Sequence, residues 1–494
     1  MLFVEALPAY LLTCIACLLL LSAWRTFHDT SLLPPGPFPL PIIGNLHQIR
    51  SSQVVEYLKK LSVKYGPVFT LHLGLRRVVV LWGYDAVKEA LVDHADEFSG
   101  RGGMPTFQSV LKNSSVTLAS GPRWKELRRF SIMTLRNFGM GKKSIEERIQ
   151  EEATFLIQEF KSTKELPFDP SLHISNATSN VICSIMFGNR FDYQDKEFHQ
   201  LLSMIRDTFA LSSGLWGQLY TMFTSIMSCV PGPHTKMHLN LSSLKRFVEG
   251  RVERNRETLD PNAPRDFIDC FLIKMEKEQQ NPATEYVMKN LVSTVLGLFI
   301  AGTETVSTTI KHGLLLLLKY PAVQEKIHSE IDSVIGRDRI PCAEDRSKMP
   351  YTDAVIHEIQ RFLDIIPFGL PHMVMRDTKF RGFSLCKGTE VYAVLSSVLQ
   401  DPTQFENPEQ FNPGHFLDEN GCFKKNESFM PFSAGKRVCL GEGMARMELF
   451  LYITTILQNF QLKFPGDPEG IDIRPRLNGL FRIPVNYELQ VNPR

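Results

Sequence analysis

The chain has 494 residues, 43% hydrophobic and 22% charged, a globular composition in a length that permits one large domain or two fused lobes. Lys and Arg number 55 against 53 Asp and Glu, so the formal charge of +2 gives no support to nucleic-acid binding, and any basic patch must be local. Nine cysteines (positions 14, 17, 183, 229, 270, 342, 386, 422 and 439) form an odd set without paired spacing, which points to a reducing compartment rather than a disulfide framework.

In chain order, Ala6 to Trp24 is apolar apart from Thr13, Ser22 and the Tyr10 hydroxyl. At roughly 19 residues it is just long enough to cross a bilayer core, so residues 1–25 are expected to form a membrane anchor. A cleaved signal peptide is the rival reading, and the lack of a cationic start argues against it, since the only early charge is Glu5. Cys14 and Cys17 read as lipid-facing filler. The first cation, Arg25, follows the run and leaves the body on the cytosolic side. The sequons at Asn113, Asn176, Asn240 and Asn426 are then chance matches.

Residues 26–41 read as a stiff extended hinge, with five prolines between Pro34 and Pro41. Val68 to Trp82 reads as a hairpin interrupted by Gly74-Leu75-Arg76-Arg77. Beyond Ala86 helical periodicity dominates, with helices expected over 142–161, 173–187, 198–212, 234–258, 321–335 and 350–363. A proline-free stretch from about Glu285 to Lys319 predicts a helix roughly 50 Å long, apolar enough to require burial. The last 60 residues return to short strands. The body, 42–494, is mostly α with a small β portion and no linker dividing it.

Two segments break the local rules. Ala301-Gly302-Thr303-Glu304-Thr305 puts glycine and a carboxylate inside the most apolar part of the long helix. Gly302 costs about 1 kcal/mol there and admits a close approach to the backbone. The Thr305 hydroxyl can bond the Ala301 carbonyl and loosen the ladder. Glu304, if buried, needs a partner or a proton route. The second segment is Phe432-Ser433-Ala434-Gly435-Lys436-Arg437-Val438-Cys439-Leu440-Gly441, just before a helical stretch, Glu442 to Phe460. A thiol at a helix start gains from the macrodipole and backbone donors, so an anionic sulfur ligand is expected, suited to haem iron. An inert buried cysteine is the bland reading. A chance match of the five fixed positions is on the order of one in ten thousand.

The spacing Phe-x-x-Gly-x-Arg-x-Cys-x-Gly resembles the cysteine loop of the cytochrome P-450 superfamily, the haem-thiolate monooxygenases. Ala301 to Thr305 resembles that family's central-helix motif, in which acid and threonine relay protons; Val306 follows where Thr or Ser is common. Glu358-Ile359-Gln360-Arg361 resembles its Glu-x-x-Arg pair, which holds a later segment, here Asn412 to Phe416, with His415 where many relatives have arginine. The proline stretch is similar to the hinge of microsomal members. Leu33 to Pro37 and Phe138 to Lys142 look closest to vertebrate microsomal family two.

The resemblance implies a triangular helical prism with haem b between the central helix and the cysteine-loop helix. Cys439 becomes the axial ligand, Thr305 and Glu304 the catalytic pair, and Glu358, Arg361 and His415 a structural set. Haem contacts are implied for Arg101, Trp124, Arg128, His372, Phe432, Gly435, Arg437 and Gly441. Pocket walls are implied for Met104, Phe107, Leu118, Phe209, Leu298, Phe299, Ala301, Ile366, Leu370 and Leu480.

The activity implied is NADPH-dependent insertion of one atom of O2 into small lipophilic molecules at the endoplasmic reticulum membrane. No G-x-G-x-x-G follows a strand, so electrons must come from outside. The implied donor is the microsomal flavoprotein NADPH–haemoprotein reductase, with cytochrome b5 optional, docking on Arg123, Lys125, Arg128, Arg129, Arg136, Lys142, Lys143 and Lys436. A haem-thiolate isomerase or dehydratase acting on peroxides, and a non-catalytic haem-binding membrane protein, remain the rival readings.

Overall fold

The long apolar stretch becomes one helix, Met288–Lys319. Its length and hydropathy would suit a membrane span, but 83% of its most apolar window is buried inside the protein, so it is a core spine. It starts three residues later than expected. Val287 is extended, and the Glu285 side chain takes hydrogen bonds from Arg123 (2.6 Å) and Asn290 (3.1 Å) instead of joining the first turn. The computed structural model describes Thr13 and residues 33–49, 53–138, 143–474, 477–478 and 481–494. The anchor candidate apart from Thr13, residues 26–32, Lys142 and Leu480 lie outside the described residues.

We label the helices that matter here in chain order: α1 Val54–Tyr65, α2 Pro105–Leu111, α3 Gly121–Asn137, α4 Lys143–Ser162, α5 Ser171–Met186, α6 Lys196–Ser213, α7 Leu215–Met222, α8 His234–Glu257, α9 Met288–Lys319, α10 Pro321–Val334, α11 Pro350–Leu363 and α12 Glu442–Asn459. The helices expected from periodicity end within two residues of their predicted limits. Asp195 caps α6, accepting from the Glu197 and Phe198 amides at 2.8 and 3.2 Å, and so moves its start forward. α1, α2 and α7 were not expected; each is short, at 12, 7 and 8 residues.

α9 runs through the main core, with α5 on one side. The side chain of Ile182 on α5 would lie 3.0 Å from a Cβ at Gly302, so the close approach that this glycine permits is helix packing. Phe299 has no exposed surface and meets Phe187 edge-on at 5.6 Å, which places it in that same core rather than on a pocket wall. Asn176 and Asn240 are buried in α5 and α8, so neither sequon is open to modification in the folded chain.

The β portion is a five-stranded sheet built from β1 Val68–Leu73, β2 Arg76–Leu81, β3 Gly100–Arg101, β4 His372–Met373 and β5 Glu390–Ala393, in the order β1-β2-β5-β4-β3. Arg76 and Arg77 belong to β2, paired with Leu73 and His72, so the turn is shorter than the sequence predicts. Pairing of Arg101 with His372 brings two distant candidates side by side. The start of the proline stretch is fixed to β1: Thr70 donates from its hydroxyl to the Pro34 carbonyl (2.7 Å) and from its amide to the Pro35 carbonyl (2.9 Å). A Cβ on Gly36 would sit 2.0 Å from the Thr70 carbonyl oxygen.

One buried group in α9 makes stability depend on pH. Neither ring nitrogen of His312 has a hydrogen-bond partner among the described residues, and burial, with Arg482 nearby, pushes its pKa down to about 4. The unfolded chain takes up this proton near pH 6.5 and the folded chain refuses it. Its contribution is therefore complete above pH 6.5 and lost as pH falls toward 4, at about 1.4 kcal/mol per pH unit. His312→Phe should narrow the gap between denaturation midpoints at pH 7 and pH 5; an unchanged gap would contradict this assignment.

Candidate active site

The cysteine loop is held by backbone geometry that only its own sequence permits. Gly435 has φ +67°, and a Cβ there would lie 1.6 Å from the Leu91 carbonyl oxygen. Ser433 is also left-handed at φ 63°. The Cys439 amide donates to the Phe432 carbonyl at 3.0 Å and closes the loop, while Arg446 lies 5.1 Å above the Phe432 ring. Gly441 caps α12, its carbonyl accepting from Ala445 at 2.9 Å. Arg128 on α3 donates to the Val438 carbonyl at 2.7 Å and so ties that helix to the loop.

Burial pushes the Cys439 thiol above its ordinary pKa and Glu442 adds to the rise, against a hydrogen bond from the Gly441 backbone and the charge of Arg128. Helix-end electrostatics lose to desolvation, so ionisation of this sulfur has to accompany metal binding. Although it lies deep in the fold, Cys439 leaves surface uncovered by the rest of the chain, as does Ala301 in the otherwise buried α9.

Around the loop stand three guanidinium groups that bond only to backbone carbonyls among the described residues. Arg437 donates to Ser99 and Ala119, both at 2.6 Å, and lies 4.0 Å above the Trp124 ring. Arg101 donates to Thr117 (3.1 Å) and Leu370 (3.4 Å), and Arg128 to Val438. Burial and mutual repulsion lower Arg437 to about 8 and Arg101 to about 10. The buried Trp124 indole N–H has no hydrogen-bond partner among the described residues. His372 donates from Nδ1 to the Phe98 carbonyl at 2.8 Å, and burial beside Arg101 and Arg437 pushes it down to about 3. Buried cations with no anion and an orphaned donor are what a ligand carrying two carboxylates would complete.

On α9 the Thr305 hydroxyl donates to the Ala301 carbonyl at 2.9 Å, as the sequence predicts, and Thr309 repeats the bond to Thr305 at 2.8 Å. The Glu304 carboxyl takes a hydrogen bond from Thr308 at 3.2 Å, and burial raises its pKa to about 7, with Arg206 and Lys311 opposing. It is thus poised to hold or release a proton near neutrality. In this rotamer it is turned along α9 toward Thr308.

Glu358 and Arg361 are fully buried and bind each other through two bonds of 2.7 Å. His415 Nδ1 lies 3.1 Å from the Glu358 carboxylate, and Nε2 lies 2.6 Å from the Glu406 carbonyl. The ring thus joins Glu358 to the chain at Glu406, at the position where many relatives carry arginine. Of the basic cluster, Arg123 is paired with Glu285 and Arg128 points inward, while Lys125 and Lys436 share Asp96, at 3.9 and 2.5 Å. Arg129, Arg136 and Lys143 remain exposed. Phe107, Phe209 and Phe481 form a run of edge-on rings at 6.1 and 4.4 Å, with Met104 and Leu118 also buried. Phe481 is the member of that run that the sequence reading missed. Leu298 is buried, and Ile366 and Leu370 are half-buried against the core.

Among the described residues no three His, Cys, Asp or Glu side chains converge on a cage for a bare ion. One sulfur and a ring of unpaired cations suit a metal that arrives in its own acidic macrocycle, and they define a haem-thiolate protein. The family model for Cytochrome P450 matches residues 34–491, and the chain belongs to that family. It is 57% identical to human cytochrome P450 2A13 and 55% identical to rabbit (Oryctolagus cuniculus) cytochrome P450 2G1, each over 484 residues covering 98% of both chains. It is 57% identical to rat cytochrome P450 2A3 over 475 residues, 96% of each chain. The protein is a monooxygenase of vertebrate family two, acting on lipophilic substrates with electrons from NADPH by way of a reductase.

Proposed function

We propose that Cys439 is the axial ligand of haem, and that Arg101, Trp124, Arg128, His372 and Arg437 hold its two carboxylates. The unpaired guanidinium groups support this most strongly. Phe432, Gly435 and Gly441 shape the loop that presents the sulfur. When bound, haem supplies activation of O2 and transfer of one oxygen atom to a carbon of the substrate. The chain's part is to place the sulfur, exclude water and move protons. The Glu304 carboxyl carries a proton inward and must change rotamer to reach the Thr305 hydroxyl, which passes it on. Met104, Phe107, Leu118, Phe209, Leu298, Ala301, Ile366 and Leu370 form the apolar wall, and apolar substrates follow from that lining.

We assign residues 1–25 to a membrane anchor, 26–41 to a hinge and 42–494 to the catalytic domain, on the cytosolic side of the endoplasmic reticulum. The exposed side chains of Phe38, Leu40, Ile42 and Ile43, with Leu75, Leu215 and Ile226, support contact with lipid. Gly44 bridges to Leu73, and Phe223 lies against Gly74, so these segments adjoin. The exposed basic face of α3 and the start of α4 suits an acidic reductase surface, and cytochrome b5 is a second candidate for it.

The test is turnover of a panel of neutral lipophilic compounds by the purified holoprotein with reductase, NADPH and isotopically labelled O2. One labelled oxygen per product is expected. Product formed from an organic hydroperoxide but not with NADPH would overturn the reading.

A further inference from the structure

Three segments far apart in the chain meet at the end of α11. Asp364 caps that helix in the left-handed region, at φ 45°, a conformation that aspartate adopts more readily than most side chains. Its carboxylate accepts a hydrogen bond from Ser396 and lies 3.1 Å from Arg482 Nη1. Arg482 opens a short strand, β7 Arg482–Ile483, paired antiparallel with β6 Leu477–Asn478. The Arg482 amide donates to the Ile365 carbonyl at 2.9 Å, Nη1 to the Leu363 carbonyl at 3.5 Å, and Nη2 to Ser396 Oγ at 3.4 Å. Both charges are buried, the arginine side chain 12% and the aspartate 1% accessible.

The residue before Arg482 is Phe481, whose ring meets Phe209 edge-on at 4.4 Å. The Phe481 amide donates to Ser213 Oγ, at the end of α6, at 3.3 Å. On the other side of the ion pair, Ile366 follows Asp364 by two residues and belongs to the same apolar wall. One buried charge pair therefore stands one peptide unit from one wall residue and two from another. A guanidinium at this depth needs an anion, and without one it turns toward water and draws its strand with it. The edge-on packing of Phe481 on Phe209 depends on that strand staying in place.

We propose that Asp364 and Arg482 are positioning residues that hold Phe481 against Phe209, and so set the preference of the pocket for ligands long enough to touch that wall. Neither side chain contacts the ligand; both act through the backbone of β7. Burial raises Asp364 to about 6, with Arg482, Ser396 and Arg361 opposing. The carboxylate is therefore charged at neutral pH, and the pair loses its anion as pH falls through about 6. The other charged or titratable groups that face the pair are Arg361, from α11 toward Asp364, and His312, from α9 toward Arg482. His312, pushed down to about 4, stays neutral across that interval. This proposal rests on the pocket-wall reading above.

The test is spectral titration of the full-length ferric holoprotein with toluene and with biphenyl, neutral probes of two lengths that carry no titratable group. Biphenyl should bind about fivefold more weakly at about pH 5 than at about pH 7.5, the worth of one edge-on aromatic contact, while toluene, the shorter probe, changes little. Asp364→Asn keeps the shape and removes the charge. At about pH 7.5 it should already show the weaker biphenyl Kd, with no further fall at about pH 5. Arg482→Met removes the cation instead and should give the same weak, pH-independent value, which keeps the test open if the asparagine variant fails to fold. An equal loss for both probes, or a biphenyl Kd that still varies with pH in either variant, would overturn the role of the pair. Absence of any haem absorbance change with biphenyl in the unsubstituted protein would instead overturn the pocket-wall reading, and this proposal with it.

Discussion

Arg361→Ala is expected to yield protein that no longer retains haem and unfolds at markedly lower urea. Arg361 has no exposed surface, and besides its two hydrogen bonds to Glu358 it donates to the carbonyls of Leu399 (3.0 Å), Pro408 (2.8 Å) and Gln410 (3.0 Å). Glu358 in turn accepts from the Asn412 amide at 2.9 Å and from His415. Truncating the arginine leaves a buried carboxylate without its cation and three carbonyls without this donor. Breaking such a pair costs about 3–5 kcal/mol, a large share of a marginal stability. The segments released, 399–415, lead directly into the cysteine loop. Arg361→Lys should recover little, because an ammonium cannot reach a carboxylate and three carbonyls at once. Haem content after purification and the denaturation midpoint check this, and full haem with an unshifted midpoint would contradict it.

The second large effect concerns protons. Glu304→Gln should slow product formation by roughly 10²-fold, the usual worth of a positioned acid or base. Its carboxyl is raised to about 7, so it carries a proton below neutrality and loses it above. Product formed per NADPH in the unsubstituted protein should therefore fall as pH rises through about 7, and Glu304→Gln should show no such limb. Thr305→Val keeps the carboxyl and removes the hydroxyl, so electrons should be diverted to peroxide while NADPH consumption continues. The checks are product yield per NADPH and peroxide release from pH 6 to 8. A glutamine variant that keeps the same limb would remove Glu304 from the route.

What could be read from the sequence was local. The ten residues ending at Gly441 specify their loop because the left-handed Gly435 and its contact with Leu91 leave no other residue type possible. Helix limits followed from caps and prolines, as at Pro321 and Pro350. The spacing of Glu358 and Arg361 was visible, but their complete burial was not, since an exposed pair at the same spacing looks identical in sequence. Contacts between distant segments were hidden for the same reason: Arg76 finds Glu390, and Arg123 finds Glu285, only once the sheet and α9 have formed. The depth of Cys439 was hidden in the same way: a helix start favours the anion, and burial, a property of the fold, opposes it.

The account stands most directly on the absorption spectrum of the reduced protein under carbon monoxide. The protein should show the strongly red-shifted Soret band of thiolate-ligated haem, and Cys439→Ser should abolish it. A band at the position given by histidine ligation, or a serine variant that keeps the red-shifted band, would contradict ligation through Cys439.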